Sequence, residues 1–476
     1  MTYSFLRWAF LVLMMSGSSA GPLLAAELRV GLAEKEITPP LGYRMYGSLY
    51  ETFSKGTHDP LMVKAVVLEQ GRGKCALVIA DLCFISRKLS EPVREAASSK
   101  TGIPASNIVI MATHTHGGPE YDGIQRDLRH ARAIREQGKD PHEPIDYLAQ
   151  LRERFIAVIE EADRSLQPAG ARFIKTELPG MAHNRRFHMK DGSVRFNPPR
   201  KDPNIIAPAG PVDPEFLSVV WSSASQGDVL GSFSSFAMHV AAFYDTAKWG
   251  ADYPDVLAGR LRKMLGPQFI SMFGQGTAGD VNHLDFQSDR PQPGDTEPVR
   301  IGNEIADAWL TQWSNSQGLE KLNLGVSSKT VMAPLVEITP ESVARSRELL
   351  ERTDVPGGID FMVTVEAWKV LNTAAFRERF GDRLPLEVNA IRLNSDTALV
   401  CLPHEVAVEI GLAIKKNSPF RNTFVLSMAH GMDFYILTRR GYAEGGYEAV
   451  TSSLKPGAGE ILIETSLELL GKLARQ

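Results

Sequence analysis

Ile108-Val109-Ile110-Met111-Ala112-Thr113-His114-Thr115-His116-Gly117-Gly118-Pro119 is the stretch on which the reading of this chain turns. Its first five residues are apolar and three of them are β-branched, which predicts a buried strand. The strand delivers histidines at i and i+2, positions that share one side of an extended backbone. Gly117 and Gly118 follow at once, and their missing side chains would let a substrate approach the main chain. Neutral imidazole is a common zinc ligand, and a second imidazole beside it can act as acid or base. A bare His-x-His also fits a polar turn with incidental histidines, so the reading depends on finding further ligands.

Outward from this stretch the same pattern recurs. A predicted strand over residues 229–237 runs into His239, one over 269–273 leads to Asp280, and one over 397–402 leads to Glu405. Strand ends gathered on one side of a sheet are where α/β proteins place ligands. Two histidines, a glutamate and an open position would make a catalytic zinc shell. Taken singly, His239 also reads as a hydrogen-bonded structural histidine. Glu405 also reads as the carboxylate that opens a helix predicted over 405–415.

The bulk properties frame these candidates. With 43% hydrophobic and 23% charged residues in a chain of 476, a full-sized core is expected. A net charge of −4 gives no case for nucleic-acid binding. Residues 1–26 read as a signal peptide, with Arg7, an apolar run from Trp8 to Met15 and small residues before a cleavage near Ala20 or Ala26. The expectation is therefore a secreted or periplasmic protein. Cys75, Cys83 and Cys401 lack metal-type spacing and read as small buried residues, though a Cys75–Cys83 bridge is conceivable. Strand and helix signals interleave from end to end, favouring one large α/β domain over residues 27–476. Tyr147, Leu148, Leu151, Phe155, Val158 and Ile159 mark an amphipathic helix, and the charged, helix-tolerant segment 126–144 before it reads as a solvated flap.

Several motifs, in their order, carry a resemblance: Ala112-Thr-His-Thr-His-Gly-Gly-Pro119, His183-Asn-Arg185, Gly210-Pro-Val-Asp-Pro214, Phe236-Ala-Met-His239, Asp252-Tyr-Pro254, Gly279-Asp-Val281, Leu402-Pro-His-Glu405, Tyr435-Ile-Leu-Thr438 and Tyr447-Glu448. Over roughly residues 30–453 the chain resembles the catalytic domain of the neutral/alkaline, non-lysosomal ceramidases. The resemblance implies a fold of two stacked mixed β-sheets flanked by helices. It implies Zn2+ held by His114, His239, Glu405 and Tyr435, with Tyr435 open to a role as an oxyanion group instead. It places His116, Arg185 and Tyr447 as the groups that polarise the substrate and handle protons. Zinc would lower the pKa of bound water to ~7, and these donors would serve the developing oxyanion. Asp81, Asp252 or Asp280 could orient a ligand imidazole through its second nitrogen.

The departures are specific. Asn282 stands where the family has a serine discussed as catalytic, and Gly117 stands where it has another. The sequence continues only a short way past the Tyr447 motif, so the expectation is a catalytic domain without the family's C-terminal β-sandwich. His283 and Asp285 add polarity that would suit a more hydrophilic substrate. The expectation is a zinc-dependent hydrolase of an N-acyl amide, ceramide-like by resemblance, with a lipid or small-molecule substrate and room for peripheral membrane contact. The alternatives are an amidase or esterase on a non-lipid compound such as an acylated sugar, and a non-catalytic binding protein.

Overall fold

The computed structural model describes residues 27–476 apart from 244–246, 291, 293, 352–358 and 432–433; the signal-peptide reading lies outside the described residues. Two mixed β-sheets stack face to face between helices. The larger sheet runs Ile270–Gln275, Val229–Phe236, Glu215–Ser223, Gln167–Glu177, Arg29–Glu36, Met62–Gln70, Gly73–Ala80 and Ile108–Ala112, with the short Gln317–Gly318 paired to Gln167–Glu177. The smaller runs Gly325–Pro334, Arg383–Arg392, Thr397–Cys401 and Asn422–Leu426.

Strand 108–112 is buried along its whole length because it is covered on both faces. Ile108, Ile110 and Ala112 pack with Leu89, Val93, Leu151 and Phe155 of the helices Arg87–Thr101 and Tyr147–Arg164. Val109 and Met111 turn the other way, onto Ile391, Leu399, Phe424 and Leu426 of the second sheet. Each such aliphatic side chain contributes roughly 1.5–3 kcal/mol on leaving water. A polar residue in this strand would therefore be costly on either face. At the other end of the large sheet, Leu257, Leu261, Ile301, Ile305 and Trp309 of helices Tyr253–Leu265 and Thr296–Trp313 cover Phe216, Val220 and Phe236. Helices Val408–Asn417 and Ala458–Ala474 cover the outer face of the small sheet.

Three parallel pairs fix where the site lies: 73–80 with 108–112, 229–236 with 270–275, and 397–401 with 422–426. The C-terminal ends of 108–112, 229–236 and 397–401 lead to His114, His239 and Glu405.

Some sequence expectations are refined. The 126–144 segment is helical over most of its length, in helix Ile124–Gln137, and residues 134–139 are exposed, but it is fixed to the body by Arg129, buried against Glu120 at 2.9 Å. Arg44, 2% exposed, pins the following turn by reaching Asp140 at 2.5 Å and Glu143 at 3.0 Å. Glu405 does not open a helix, which begins at Val408; it pairs in parallel register with Tyr435. The helix Phe361–Phe380 carried no periodic signal, because Thr364, Val365, Ala367, Trp368, Val370 and Leu371 are all buried and spread around its circumference. Cys75, Cys83 and Cys401 are buried and unpaired, so no Cys75–Cys83 bridge forms. Among the described residues no helix is long and apolar enough to cross a membrane.

Candidate metal centre

The strand carrying the His-x-His ends at Ala112, two residues before the first histidine. His114 then takes a left-handed φ of 68°, so strand alternation is not what aligns His114 and His116. A kink does, held by the Thr113 and His114 amides donating to the Ala80 and Leu82 carbonyls at 2.9 and 3.0 Å. His404 (φ 65°) repeats the device just ahead of Glu405. Left-handed non-glycine backbone is disfavoured and persists where surrounding contacts impose it, often at functional sites. Gly117 has a purpose other than substrate access: a Cβ there would lie 2.5 Å from the Gly250 carbonyl oxygen.

The rings of His114 and His239 meet edge to face with their Nε2 atoms 3.0 Å apart. Glu405 Oε2 lies 3.2 Å from the first and 3.1 Å from the second. Each Nδ1 faces a carbonyl, His114 that of Cys83 at 2.7 Å and His239 that of Ala278 at 2.8 Å. A carbonyl only accepts, so each Nδ1 carries a hydrogen, and in the neutral imidazole each Nε2 is then an acceptor. Three acceptor atoms thus converge in a buried space, where Arg185 Nη1 reaches His239 Nε2 at 3.2 Å and Glu405 Oε2 has no hydrogen-bond partner among the described residues. Such a cluster is repulsive unless a cation sits within it. The donor set, two imidazoles and a carboxylate, fits zinc.

The imidazoles are oriented by main chain, not by the expected aspartates. Asp280 accepts from Val408 N at 2.8 Å and Asn184 Nδ2 at 3.0 Å, and Asp252 accepts from Phe243 N and Tyr253 N. Asp81 accepts from Met62 N at 2.9 Å. All three hold loops together.

Around the three acceptors stand the remaining candidates. His116 turns Nδ1 to the Gly47 carbonyl at 3.1 Å, bringing its Nε2 to 3.4 Å from that of His114. Burial first, then His114 and His239, hold His116 well below the usual imidazole range. Arg185 donates from Nε to Glu448 at 2.9 Å and from Nη1 to His239 Nε2 at 3.2 Å, while its buried Nη2 has no partner among the described residues. Burial opposes its charge, but Tyr435, Glu448 and Glu405 together hold its pKa above the ordinary value. Its guanidinium lies 5.2 Å from the Tyr435 ring centre and 5.9 Å from that of Tyr447. Burial, with Glu405 adding to it, raises both phenols above their usual range, so both keep their protons. Asn282 spends both ends of its amide internally, donating to Asn197 Oδ1 and accepting from Leu284 N, each at 3.0 Å.

The three acceptors, His116, Arg185, Asn282 and both tyrosines border one cavity of about 400 Å3. Its lining includes the apolar Leu49, Phe84, Ile124, Phe361, Val365 and Trp368 and the polar Asn197, Asn282 and His283. Sequence reasoning missed three contributors. Cys83 supplies the carbonyl that fixes the His114 tautomer. Glu448 anchors Arg185. Helix 361–380 contributes Phe361, Val365 and Trp368 to the lining. For Cys83 a signal existed: it follows the strand 73–80, the parallel neighbour of 108–112.

Solved structures share this architecture. Neutral ceramidase from Pseudomonas aeruginosa superposes with a TM-score of 0.70 and 18% identity, over 94% of this chain and 75% of its own. A structure described as ceramidase complexed with C2 gives 0.69 and 18%, over 94% of this chain and 76% of its own. The fold is ceramidase-like. No protein-family model and no curated protein matches the sequence.

Proposed function

We propose that the chain is a zinc-dependent hydrolase cleaving the amide bond of an N-acyl compound, ceramide-like in its apolar acyl part. The observation that carries this reading is the convergence of His114 Nε2, His239 Nε2 and Glu405 Oε2 beside a cavity with many apolar lining residues. The ceramidase-like fold supports the choice of amide chemistry, and those apolar residues suit a fatty-acyl chain.

His114, His239 and Glu405 would hold Zn2+, with Tyr435 beside Glu405 as a fourth ligand or an oxyanion donor. When bound, zinc supplies Lewis acidity and lowers the pKa of its water to ~7. The protein's own groups do the rest. Arg185, tethered by Glu448, keeps Nη2 for a developing oxyanion, and the protonated Tyr447 offers a second donor. His116, whose Nδ1 faces the Gly47 carbonyl, would take a proton and return it to the leaving amine. Asn282 holds the Asn197 side chain and the turn at Leu284, the work of a positioning residue.

The polar residues in the cavity lining, Asn197, Asn282 and His283 among them, favour a second reading, the same chemistry on a less lipid-like amide or ester such as an acylated sugar. Residues 1–26 support export of the mature protein, which N-terminal sequencing of secreted material would test. For the reaction, zinc-loaded protein is assayed for fatty-acid release from short-chain ceramide beside a panel of acylated sugars. Release from ceramide supports the first reading, and release from the sugars alone replaces it with the second. Absence of both release and bound zinc overturns hydrolysis altogether.

A further inference from the structure

Helix Phe361–Phe380 is anchored beside the metal centre at two points. The Phe361 ring lies 5.6 Å from that of Tyr447, and the Phe376 ring lies 5.7 Å from that of Phe434, whose carbonyl accepts from the Glu405 amide. Between these anchors Val365, Trp368, Lys369 and Asn372 line the cavity, at the three- and four-residue spacing of one helix face. A lysine in that row has no task in the chemistry above. Other charged side chains of the lining have close partners: Arg185 meets Glu448 at 2.9 Å, and Asp122 meets Lys88 at 2.8 Å. Among the described residues the ion pair of Lys369 is with Glu366, one turn away on the same helix, 3.9 Å distant and 65% exposed. An exposed pair of that length holds an ammonium only weakly. The lysine side chain is itself 19% exposed and borders the cavity, so it is not sealed from what enters.

We propose that Lys369 is a specificity residue that binds a carboxylate carried by the substrate. This inference rests on the amide-hydrolase reading and deepens it: the N-acyl compound would be anionic, where ceramide is neutral. An ammonium among Phe361, Val365 and Trp368 loses part of its water to them, and a charge so placed is stabilised by a partner of opposite sign. A carboxylate matches this corner better than a phosphate does. It brings one negative charge to one lysine, and its second oxygen can accept from an amide such as that of Asn372. A phosphate brings nearly two charges and is typically met by several cations or by a helix N-terminus, whereas Lys369 stands well inside its helix. A neutral substrate would gain nothing from the lysine.

The test uses two matched pairs of amides. The first joins one fatty-acyl chain to glycine or to glycinamide, which differ by a carboxylate in place of a carboxamide. The second makes the same exchange at the far end of the acyl chain of a propylamide. Zinc-loaded wild-type protein should prefer the carboxylate in one of the pairs by about tenfold or more in kcat/KM, the scale of one charge-assisted hydrogen bond. Lys369→Gln should lose that preference through KM while keeping its rate on the neutral amide, and Lys369→Arg, which keeps the charge, should retain most of it. Added salt should shrink the wild-type preference and leave the glutamine variant unmoved. Zinc content of each variant is measured alongside, and Lys369→Met, which keeps the apolar stem, carries the comparison if the glutamine variant does not fold. Equal rates within both pairs in the wild type, a preference that survives Lys369→Gln, or a loss on charged and neutral amides alike overturns the assignment. If the wild type binds zinc but cleaves neither these amides nor ceramide, the amide-hydrolase reading has failed first and takes this one with it.

Discussion

Two clusters in this molecule offer similar ligand types with opposite meanings. At the strand ends, the buried His114, His239 and Glu405 bring two nitrogens and an oxygen within reach of one another; at helix 124–137, the partly buried His130, Asp140 and Glu143 bring one nitrogen and two oxygens together. What differs is the internal cation. The second cluster already has Arg44, and Arg126 also pairs with Glu143. Its carboxylates are therefore satisfied. The first has only Arg185, whose Nη1 reaches His239 but whose Nε is held by Glu448, and the Glu405 oxygen is left unpaired. Ligand-type residues in proximity do not make a metal site; acceptors that outnumber their donors do.

The largest effect expected from this contrast follows from breaking the first cluster. His114→Ala or Glu405→Gln should abolish stoichiometric zinc binding, measured by metal analysis of the purified protein, and with it any hydrolysis. Zinc retained by both variants would make the strand-end cluster no different from the arginine-filled one.

Breaking the second cluster should cost stability and spare the metal. Arg44→Met leaves Asp140 and Glu143 short of a buried partner, and such loss costs roughly 3–5 kcal/mol. Denaturant unfolding should report it, with zinc content per folded molecule unchanged.

A smaller effect depends on pH. Burial pushes the Asp81 carboxyl up to about 7, with the Lys64 charge only partly opposing. In the unfolded chain the same group titrates near ~3.9, so the folded state binds the extra proton between these values. This contribution to stability is present in full below pH ~4 and is lost as pH rises toward about 7. Asp81→Asn, which can still accept from Met62 N, should flatten unfolding free energy against pH across that window; an unchanged slope would remove Asp81 as its source.

The smallest effect sharpens the comparison from the other side. His130 is one-third exposed and its contacts duplicate those of the arginines, so His130→Ala should change stability by no more than ~1 kcal/mol. A zinc stoichiometry lowered by this variant would mean that the arginine-filled cluster binds metal after all.

Much of this was legible in the chain. The β-branched run at 108–110 announces a strand covered on two faces, and Tyr147, Leu151, Phe155 and Val158 announce the helix that covers one of them, because burial imposes periods of two and of 3.6. Helix 361–380 stayed hidden for the converse reason: packed around most of its circumference, it has no polar stripe to give a period. The resemblance in motif order brought His114, His239 and Glu405 together on paper. The orienting aspartates did not follow, since a backbone carbonyl such as that of Cys83 or Ala278 has no sequence signature.

By itself the sequence determined the kinds of element, the alternation that buries them and the residue types offered at the strand ends, all of which are local consequences of side-chain chemistry. Only the tertiary structure decided which acceptors face one another short of donors and which histidines are filled by an arginine. Those outcomes depend on where groups hundreds of residues apart come to rest, and on left-handed turns at His114 and His404 that no residue preference dictates.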